Sequence, residues 1–197
     1  MGEDHDHSYA NRLLDQLYGW VPLSGSFRLA LRELIQLQRE NPKSIILDSS
    51  HHAKRMWYSL DSFVVGYDYT RGNGQKVTRI YLPGDVFTDL SSFFQNKPAK
   101  LKLVILQGGD LLYVTRADFN GLRQYAEGFD LIQHLMLLEQ ELESWRGWIM
   151  TLRDEQKVAE FNQRYPMYLL PNHICASFLQ MTPSRYSAVK ANFTVGS

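Results

Sequence analysis

Apolar residues in the first part of the chain recur at helical spacing. A first helical pattern ends at a break over residues 19–25, and a second one begins beyond it, with Ser26 placed to cap its first turn. The apolar positions of this second pattern lie near a period of about 3.6 and are Phe27, Ala30, Leu31, Leu34, Ile35 and Leu37. The pattern predicts two helices before the first strand.

Beyond residue 42 the pattern changes to short runs rich in β-branched and aromatic residues, which favours strands. The pairs Asn73-Gly74 and Gly108-Gly109 are typical of tight hairpin turns. The predicted strands cover residues 45–46, 56–60, 63–70, 77–82, 101–106 and 111–114. Six or more short strands with frequent turns indicate a jelly roll or a barrel.

A helical pattern returns after Thr115, which stands three residues before Asp118 as in a capping box. Beyond Gly128, apolar residues alternate spacings of four and three, which is the pattern of a two-stranded coiled-coil seam and predicts a homodimer. Ile132 and Trp148 widen the apolar face, so packing of this helix on its own domain stays open as the alternative. The seam positions are Leu131, Leu135, Leu138, Leu142, Trp145, Ile149 and Leu152.

The last part of the chain predicts a helix over residues 154–164 and then two short helices joined by a tight turn. Asn172 would cap the first of these, which would bury Phe178, and the second would cover residues 184–193. This arrangement is typical of a helix-turn-helix. Residues 171–197 contain Arg185 and Lys190 but no acidic residue, so a basic face is available in a chain of zero net charge.

The amino-acid composition limits the classes of protein to which the chain can belong. The 197 residues are 44% hydrophobic, which suits one good core or two small ones, and no apolar run approaches the ~18 residues of a membrane span. The first residues are acidic where a secretion signal would be basic and then apolar, so a cytoplasmic protein with no membrane partner is expected. The single Cys175 excludes an internal disulfide and a cysteine metal site, and the adjacent His51 and His52 would point to opposite faces of a strand. No catalytic residue, metal site or enzyme activity is predicted.

The stretch PGDVFTDLSSFFQNKPAK, residues 83–100, combines a Gly-Asp turn with a second acidic residue, Asp89. With the order of a β-roll, a long helix and a helix-turn-helix, it resembles the catabolite-activator and FNR-type transcription regulators over roughly residues 26–193. In that family a Gly-Asp turn, a Gly-Glu-Leu helix start and a later arginine cradle the cyclic phosphate of a nucleotide, as an anion site does. The resemblance implies that Gly84 and Asp85 form the turn and that Asp89 takes the place of the glutamate.

Two positions of this stretch depart from the family's pattern. Thr88 stands where the family has glycine, and Ala99 stands where it has the phosphate-binding arginine. Loss of that charge-assisted hydrogen bond removes about 1.5–3 kcal/mol, so binding of cyclic AMP in the family's manner is not expected. Lys97 or Lys100 could supply a replacement charge, and Ser144 falls where the family's long helix touches the base. No cofactor is predicted with certainty, and an unidentified small-molecule effector stays open.

The resemblance also implies a DNA-binding role for the helix-turn-helix. Ala176 matches the small residue where the two helices cross, whereas Gln180 replaces the turn glycine and Ala188 stands where relatives often have a base-reading arginine. Only four residues follow Phe193, so the family's β-wing is expected to be missing or rudimentary. The candidate DNA contacts are Ser184, Arg185, Ser187 and Lys190.

The sequence therefore predicts an α+β protein of four parts. These are an N-terminal helical extension (residues 1–25), a cyclic-nucleotide-binding-like jelly roll (26–128), a dimerisation helix (129–153) and a helix-turn-helix domain without a full wing (154–197). The expected function is that of a homodimeric transcription regulator that binds a palindromic DNA duplex. The alternative is a divergent family member that acts through protein contacts, with no nucleotide and little DNA binding.

Overall fold

The computed structural model describes residues 3–70 and 74–194, which form two compact units. Of these described residues, one unit contains 3–70, 74–75 and 79–136, and the other contains 76–78 and 137–194. Of the predicted turn at Asn73-Gly74, Asn73 lies outside the described residues, and Gly74 has the positive φ of +74° that such a turn requires.

Two helices open the chain, as predicted. They are α1 (Glu3–Trp20) and α2 (Gly25–Leu34). Ser24, not Ser26, caps α2, because its Oγ accepts a hydrogen bond from the N–H of Phe27 at 3.3 Å. The predicted continuation of this helix to Leu37 is wrong: the chain leaves α2 at Ile35 in an extended conformation and enters a strand at Gln36.

The next part of the chain folds as a β-roll of two antiparallel four-stranded sheets, which confirms the predicted jelly-roll class. The first sheet has the order β1-β8-β3-β6 and the second β2-β7-β4-β5. The strands are β1 (Gln36–Glu40), β2 (Ile45–Leu47), β3 (Arg55–Ser59), β4 (Phe63–Thr70), β5 (Gly74–Tyr81), β6 (Val86–Phe87), β7 (Leu101–Gln107) and β8 (Gly109–Thr115). Between and after them lie α3 (Leu90–Gln95), α4 (Arg116–Gly121) and a short 3-10 turn (Leu122–Gln124).

The Gly108-Gly109 pair does not form a hairpin, because β7 belongs to the second sheet and β8 to the first. A Cβ at Gly108 would lie 2.7 Å from the carbonyl oxygen of Glu40, and a Cβ at Gly109 would lie 2.1 Å from Oδ1 of Asp61. Glycine is needed at position 108 because the backbone of Glu40 and Pro42 approaches it closely, whereas a Cβ at position 109 would meet the side chains of Asp61 and Ser62.

The roll encloses an apolar core to which helices also contribute. Leu103 and Ile105 of β7 and Leu111 of β8 are fully buried, and Leu14 of α1 and Phe27 of α2 belong to the same cluster. Thr115 caps α4, which is half of the predicted capping box: its Oγ accepts from the N–H of Asp118 at 3.1 Å. The Asp118 carboxylate accepts from the Thr115 hydroxyl at 2.6 Å, whereas a full capping box uses the backbone N–H of the cap residue.

The remaining helices are α5 (Ala126–Met150), α6 (Asp154–Arg164), α7 (Asn172–Phe178) and α8 (Pro183–Thr194). The second unit has its own aromatic core, in which the ring centroids of Phe161 and Tyr165 are 4.9 Å apart and those of Phe161 and Phe178 5.5 Å apart. Cys175 is fully buried beside this core, as expected for a small apolar residue. None of the described helices is long and apolar enough to cross a membrane.

Candidate functional site

The segment of residues 83–100, called the cassette below, begins with a tight turn. Pro83 and Gly84 occupy its central positions, and Gly84 has a φ of +96°, which an L-residue rarely adopts. The Asp85 N–H donates to the Leu82 carbonyl at 3.0 Å, and the Asp85 carboxylate accepts from the Leu82 N–H at 2.7 Å. The Gly-Asp pair thus closes the turn by local hydrogen bonds.

Two neighbouring elements hold this turn in place. The Gly84 N–H donates to the carbonyl of Ser59 in β3 at 2.8 Å, and the Ser59 N–H donates to the carbonyl of Asp85 at 3.0 Å. From α1, Nε2 of Gln16 donates to the Gly84 carbonyl at 2.6 Å. The N-terminal helix therefore contacts the turn directly, and no local pattern in the sequence predicts this contact.

Asp89 is the centre of the cassette. It is 4% exposed and accepts four hydrogen bonds, at 2.9 Å from the Ser92 N–H, 2.9 Å from the Ser91 hydroxyl, 2.8 Å from the Lys100 N–H and 3.1 Å from the Leu101 N–H. Burial alone raises the pKa of this carboxyl, but these four hydrogen bonds outweigh it and hold the pKa below its ordinary value. The cassette is an anion cradle whose donors already hold a carboxylate of the same chain.

The other predicted ligand residues of the cassette surround Asp89 without facing one open site. Thr88 is buried and donates its hydroxyl hydrogen to the Arg55 carbonyl at 2.9 Å. Ala99 is buried, and its backbone carbonyl and N–H form hydrogen bonds with the N–H of Ser50 and the carbonyl of His51. The side chains of Lys97 and Lys100 are exposed, so Lys100 contributes its backbone N–H to the cradle and not its ammonium group. Ser144 is an exposed residue of α5.

A small apolar cavity of about 50 Å³ lies beside β3, under α1 and α2. Such a volume is far below the roughly 300–1,000 Å³ of ordinary ligand pockets, so it does not suit a nucleotide. Its lining residues include Leu13, Phe27, Trp57, Tyr58, Leu112 and Leu131. The strand aromatics Trp57 and Tyr58 are buried and fill the core here.

The helix α5 buries much of the predicted dimer seam within its own chain. Leu131, Leu135, Leu142 and Ile149 are at most 8% exposed, which leaves them almost no surface for a partner. Of the other seam positions, Leu138 is 38% exposed, and Trp145 and Leu152 are half-buried. The seam stays a prediction, but its four buried positions favour the alternative of packing within the same chain, because such a stripe has the same heptad spacing as a seam.

A different face of α5 carries exposed apolar side chains. Phe129, Met136, Leu137 and Trp148 are 61%, 51%, 57% and 48% exposed. At about 100° per residue, Phe129 and Met136 of the first unit point away from its buried Leu131 and Leu135. In the second unit, Leu137 and Trp148 point away from the buried Leu142 and Ile149. We call this set the outer face of α5. It is the apolar surface of this helix that is available for a partner.

The turn between α7 and α8 has the hydrogen bonds of a Schellman motif. The Met181 N–H donates to the Ala176 carbonyl at 2.9 Å, and the Gln180 N–H donates to the Ser177 carbonyl at 3.2 Å. Gln180 has a φ of +55°, the left-handed conformation that glycine adopts most readily. Thr182 then caps α8, since its Oγ accepts from the Arg185 N–H at 3.3 Å.

Because Gln180 holds a left-handed conformation, Gln180→Gly is expected to raise the free energy of unfolding by about 0.5–1 kcal/mol. Gln163→Gly in α6 is the matched control: there the backbone is helical, and the same change should lower stability by up to about 1 kcal/mol. Urea unfolding followed by circular dichroism measures both. A destabilising effect of Gln180→Gly would contradict the assignment of strain to this turn.

The predicted DNA contacts lie together on α8, and several are held by other parts of the same unit. Ser184 and Arg185 are exposed. Nε of Arg185 is 2.7 Å from the Asp154 carboxylate, and Nη2 is 3.1 Å from that of Glu155. Both acidic residues belong to the first turn of α6.

The other two predicted DNA contacts share a partner on α7. Nζ of Lys190 donates to the Met167 carbonyl at 2.8 Å and to Oδ1 of Asn172 at 3.1 Å. Nδ2 of Asn172 donates to the hydroxyl of Ser187 at 3.1 Å. Asn172 is the first residue of α7 and not its cap, and its side chain ties α7 to α8. Sequence reasoning found the α8 residues but missed Asp154, Glu155 and Asn172 as their partners.

Comparison with known proteins finds no matching family model and no matching curated protein by sequence. Solved structures do align with this chain. FixK2 from Bradyrhizobium japonicum aligns over 82% of this chain and 85% of its own, with a TM-score of 0.72 and 13% identity. The chain has the fold of the catabolite-activator and FNR-type regulators. The catabolite activator protein of Thermus thermophilus aligns over 91% of this chain and 87% of its own, with a TM-score of 0.55 and 17% identity.

A third regulator shares the fold. The c-di-GMP-responsive global regulator CLP of Xanthomonas campestris aligns over 87% of this chain and 92% of its own, with a TM-score of 0.66 and 9% identity. The resemblance drawn from the cassette and the order of elements is thus confirmed at the level of the fold. Within this regulator fold, the described residues contain no group of three or more His, Cys, Asp or Glu side chains that could hold a metal ion.

Proposed function

We propose that the protein is a homodimeric transcription regulator that binds duplex DNA through α8. The observation that carries this proposal is the geometry of α7, the turn and α8: two short helices joined by a Schellman turn, with Ser184 and Arg185 exposed at the start of the second. A homodimer would present two such helices to the two halves of a palindromic site. The outer face of α5 is the surface proposed for that dimer.

We infer further that the roll does not bind a cyclic nucleotide in the family's manner. A phosphate in the cradle would compete with the buried carboxylate of Asp89 for the N–H groups of Lys100 and Leu101. It would also lack a countercharge at Ala99, whose apolar side chain is buried. The family's cassette also contains a carboxylate at this position, so we infer that the missing arginine at Ala99, together with this competition for donors, is what weakens phosphate binding. Any effector of this regulator would therefore use another surface.

Selection from a random duplex pool tests the DNA-binding proposal directly. We expect enrichment of a site with two-fold symmetry, and affinity that falls with salt because Lys and Arg displace counterions from the phosphates. Failure to enrich any duplex at low salt would contradict DNA binding. An enriched site without symmetry would contradict the dimeric arrangement alone.

The alternative, a module that acts through protein contacts, has one observation in its favour. Arg185 and Lys190 are the cations of the α7–α8 segment, and both are engaged by groups of the same unit. DNA phosphates would have to compete with Asp154 and Glu155 for Arg185. This competition predicts weak DNA binding in the wild-type protein.

Release of Arg185 should therefore strengthen DNA binding. Asp154→Asn removes the carboxylate that lies 2.7 Å from Arg185 and is expected to raise the affinity for DNA severalfold. The slope of log affinity against log salt concentration should become steeper by about one, because one more counterion is released. Glu160→Gln removes the same charge from α6 without a described contact to Arg185 and is the matched control. Fluorescence anisotropy at several salt concentrations measures both variants. An equal rise for both would mean that net charge, and not the pairing of Arg185, limits binding.

A further inference from the structure

A surface pocket of about 440 Å³ lies at one end of the roll, apart from the cassette carboxylate and the helix-turn-helix. Basic side chains come to it from two elements: Lys54 precedes β3, Arg55 begins β3, and Arg116 begins α4. The full lining is Lys54, Arg55, Thr115, Arg116, Ala117 and Asn120. Three basic residues thus line one concave surface.

The two arginines of this pocket are oriented by neutral groups. Nη1 of Arg55 donates to Oε1 of Gln38 at 2.7 Å, and its guanidinium lies over the ring of Tyr113 at 4.3 Å from the centroid. Nη1 of Arg116 donates to Oδ1 of Asn96. An amide oxygen and an aromatic ring fix the position of a guanidinium without cancelling its charge. Each guanidinium keeps further N–H donors for a ligand.

The charge of the pocket is not balanced by an ion pair. Among the described residues, Lys54, Arg55 and Arg116 form no salt bridge, whereas Arg28 and Arg185 each pair with a carboxylate. One carboxylate does contact a lining residue: that of Asp118 accepts a hydrogen bond from the Thr115 hydroxyl at 2.6 Å. The pocket therefore carries net positive charge.

The backbone beneath these cations is fixed before any ligand arrives. Arg55 pairs with Thr115 in the register of β3 and β8, and the Arg116 N–H donates to the Lys54 carbonyl at 2.8 Å. A ligand would meet cations whose main chains are already in place, so little backbone entropy is lost on binding.

We propose that this pocket binds a small molecule that carries a diphosphate or a similarly compact polyanionic group. Guanidinium forks match phosphate oxygens in pairs, and a lysine adds a point charge. The volume exceeds what a single phosphate needs, which favours two linked anionic groups. Such a ligand would occupy the roll although the cassette is closed by Asp89, and it is a candidate for the effector that the regulator fold otherwise lacks here.

Isothermal titration of the full chain with pyrophosphate tests this site. We expect saturable 1:1 binding at low ionic strength that Arg116→Gln and Arg55→Gln each weaken by about tenfold or more, since each removes a charge-assisted pair. Arg123→Gln changes an exposed arginine of the same unit that does not line the pocket, and it should leave the affinity unchanged. Asn96→Gly keeps every charge, suits the left-handed backbone at this position (φ +54°) and removes the group that orients Arg116, so it should weaken binding less than Arg116→Gln.

Three results would overturn the proposal. They are no saturable heat at millimolar pyrophosphate, equal weakening by Arg123→Gln, and unchanged binding by Arg116→Gln when circular dichroism shows that the variant is folded. If duplex DNA competes with pyrophosphate and Arg116→Gln weakens both equally, the cations serve nucleic-acid phosphates and the small-molecule assignment is wrong. Because α8 is distant in sequence and belongs to the other unit, this test can fail while DNA binding by α8 holds.

Discussion

Asp89→Asn is expected to lower the free energy of unfolding by about 2–4 kcal/mol at pH 7. The carboxylate of Asp89 accepts four hydrogen bonds in a site that is 4% exposed. An asparagine oxygen could keep only part of this set, and its NH₂ group would face N–H donors. The donors of Lys100 and Leu101 would then lie unsatisfied in a buried loop, which costs more than the loss of an exposed hydrogen bond.

The effect of this substitution should depend on pH. The hydrogen bonds hold the pKa of Asp89 below its ordinary value, so the stabilisation by its charge is fully present above the pKa of the unfolded chain, about 4. It is lost as the pH falls through the lower pKa of the folded protein. The stability difference between wild type and Asp89→Asn should therefore be constant from about pH 5 to 8 and shrink below about pH 4.

Two controls separate charge from shape. Asp130→Asn removes an exposed carboxylate and should change stability by less than about 0.5 kcal/mol. Asp89→Ala empties the cradle, and added formate should restore part of its stability because a free carboxylate can take the vacated donors. A difference between wild type and Asp89→Asn that persists unchanged at acid pH would show that the charge of Asp89 is not what the cradle holds.

Leu137→Glu is expected to convert the dimer to a monomer. Leu137 is 57% exposed on the outer face of α5, and a glutamate there would bring two negative charges together across a two-fold axis. Such a juxtaposition costs several kcal/mol, so the dissociation constant should rise at least about 100-fold. Sedimentation velocity should show wild type at about 46 kDa, twice the 22.9 kDa of one chain, and the variant at the mass of one chain.

The control for this variant is Leu29→Glu on α2, because Leu29 is also 57% exposed and undergoes the same change. It should leave the dimer intact. If the Leu137→Glu variant stays dimeric, the outer face of α5 is not the interface. If the wild-type protein sediments at about 23 kDa at micromolar concentration, the proposal of a dimer is wrong.

Local signals in the sequence predicted local structure well. The turn at Gly84 and Asp85 and the cap at Thr115 were predicted from residue types whose hydrogen bonds close within a few positions. The helix over residues 154–164 follows the predicted bounds. Gln180 was recognised at the position of the turn glycine, and its positive φ explains why glycine is usual there.

Signals that depend on distant contacts were not resolved by the sequence. A heptad of apolar residues in α5 fits both a dimer seam and burial on the same chain, and only the fold shows that Leu135 and Ile149 are buried. Gly108-Gly109 was taken for a turn because a close approach by Glu40 leaves no local trace. The role of Asp89 depends on the N–H groups eleven and twelve residues later, which the fold brings to its carboxylate.

The proposal of a DNA-binding regulator with a self-filled cradle is tested most directly by one titration. A duplex enriched by selection is titrated with the protein at low salt, by fluorescence anisotropy, with and without saturating cyclic AMP. We predict saturable binding by a dimer, with an affinity that cyclic AMP leaves unchanged and that added salt lowers. Binding that requires cyclic AMP would contradict the closed cradle, and no binding to any duplex would contradict the regulator.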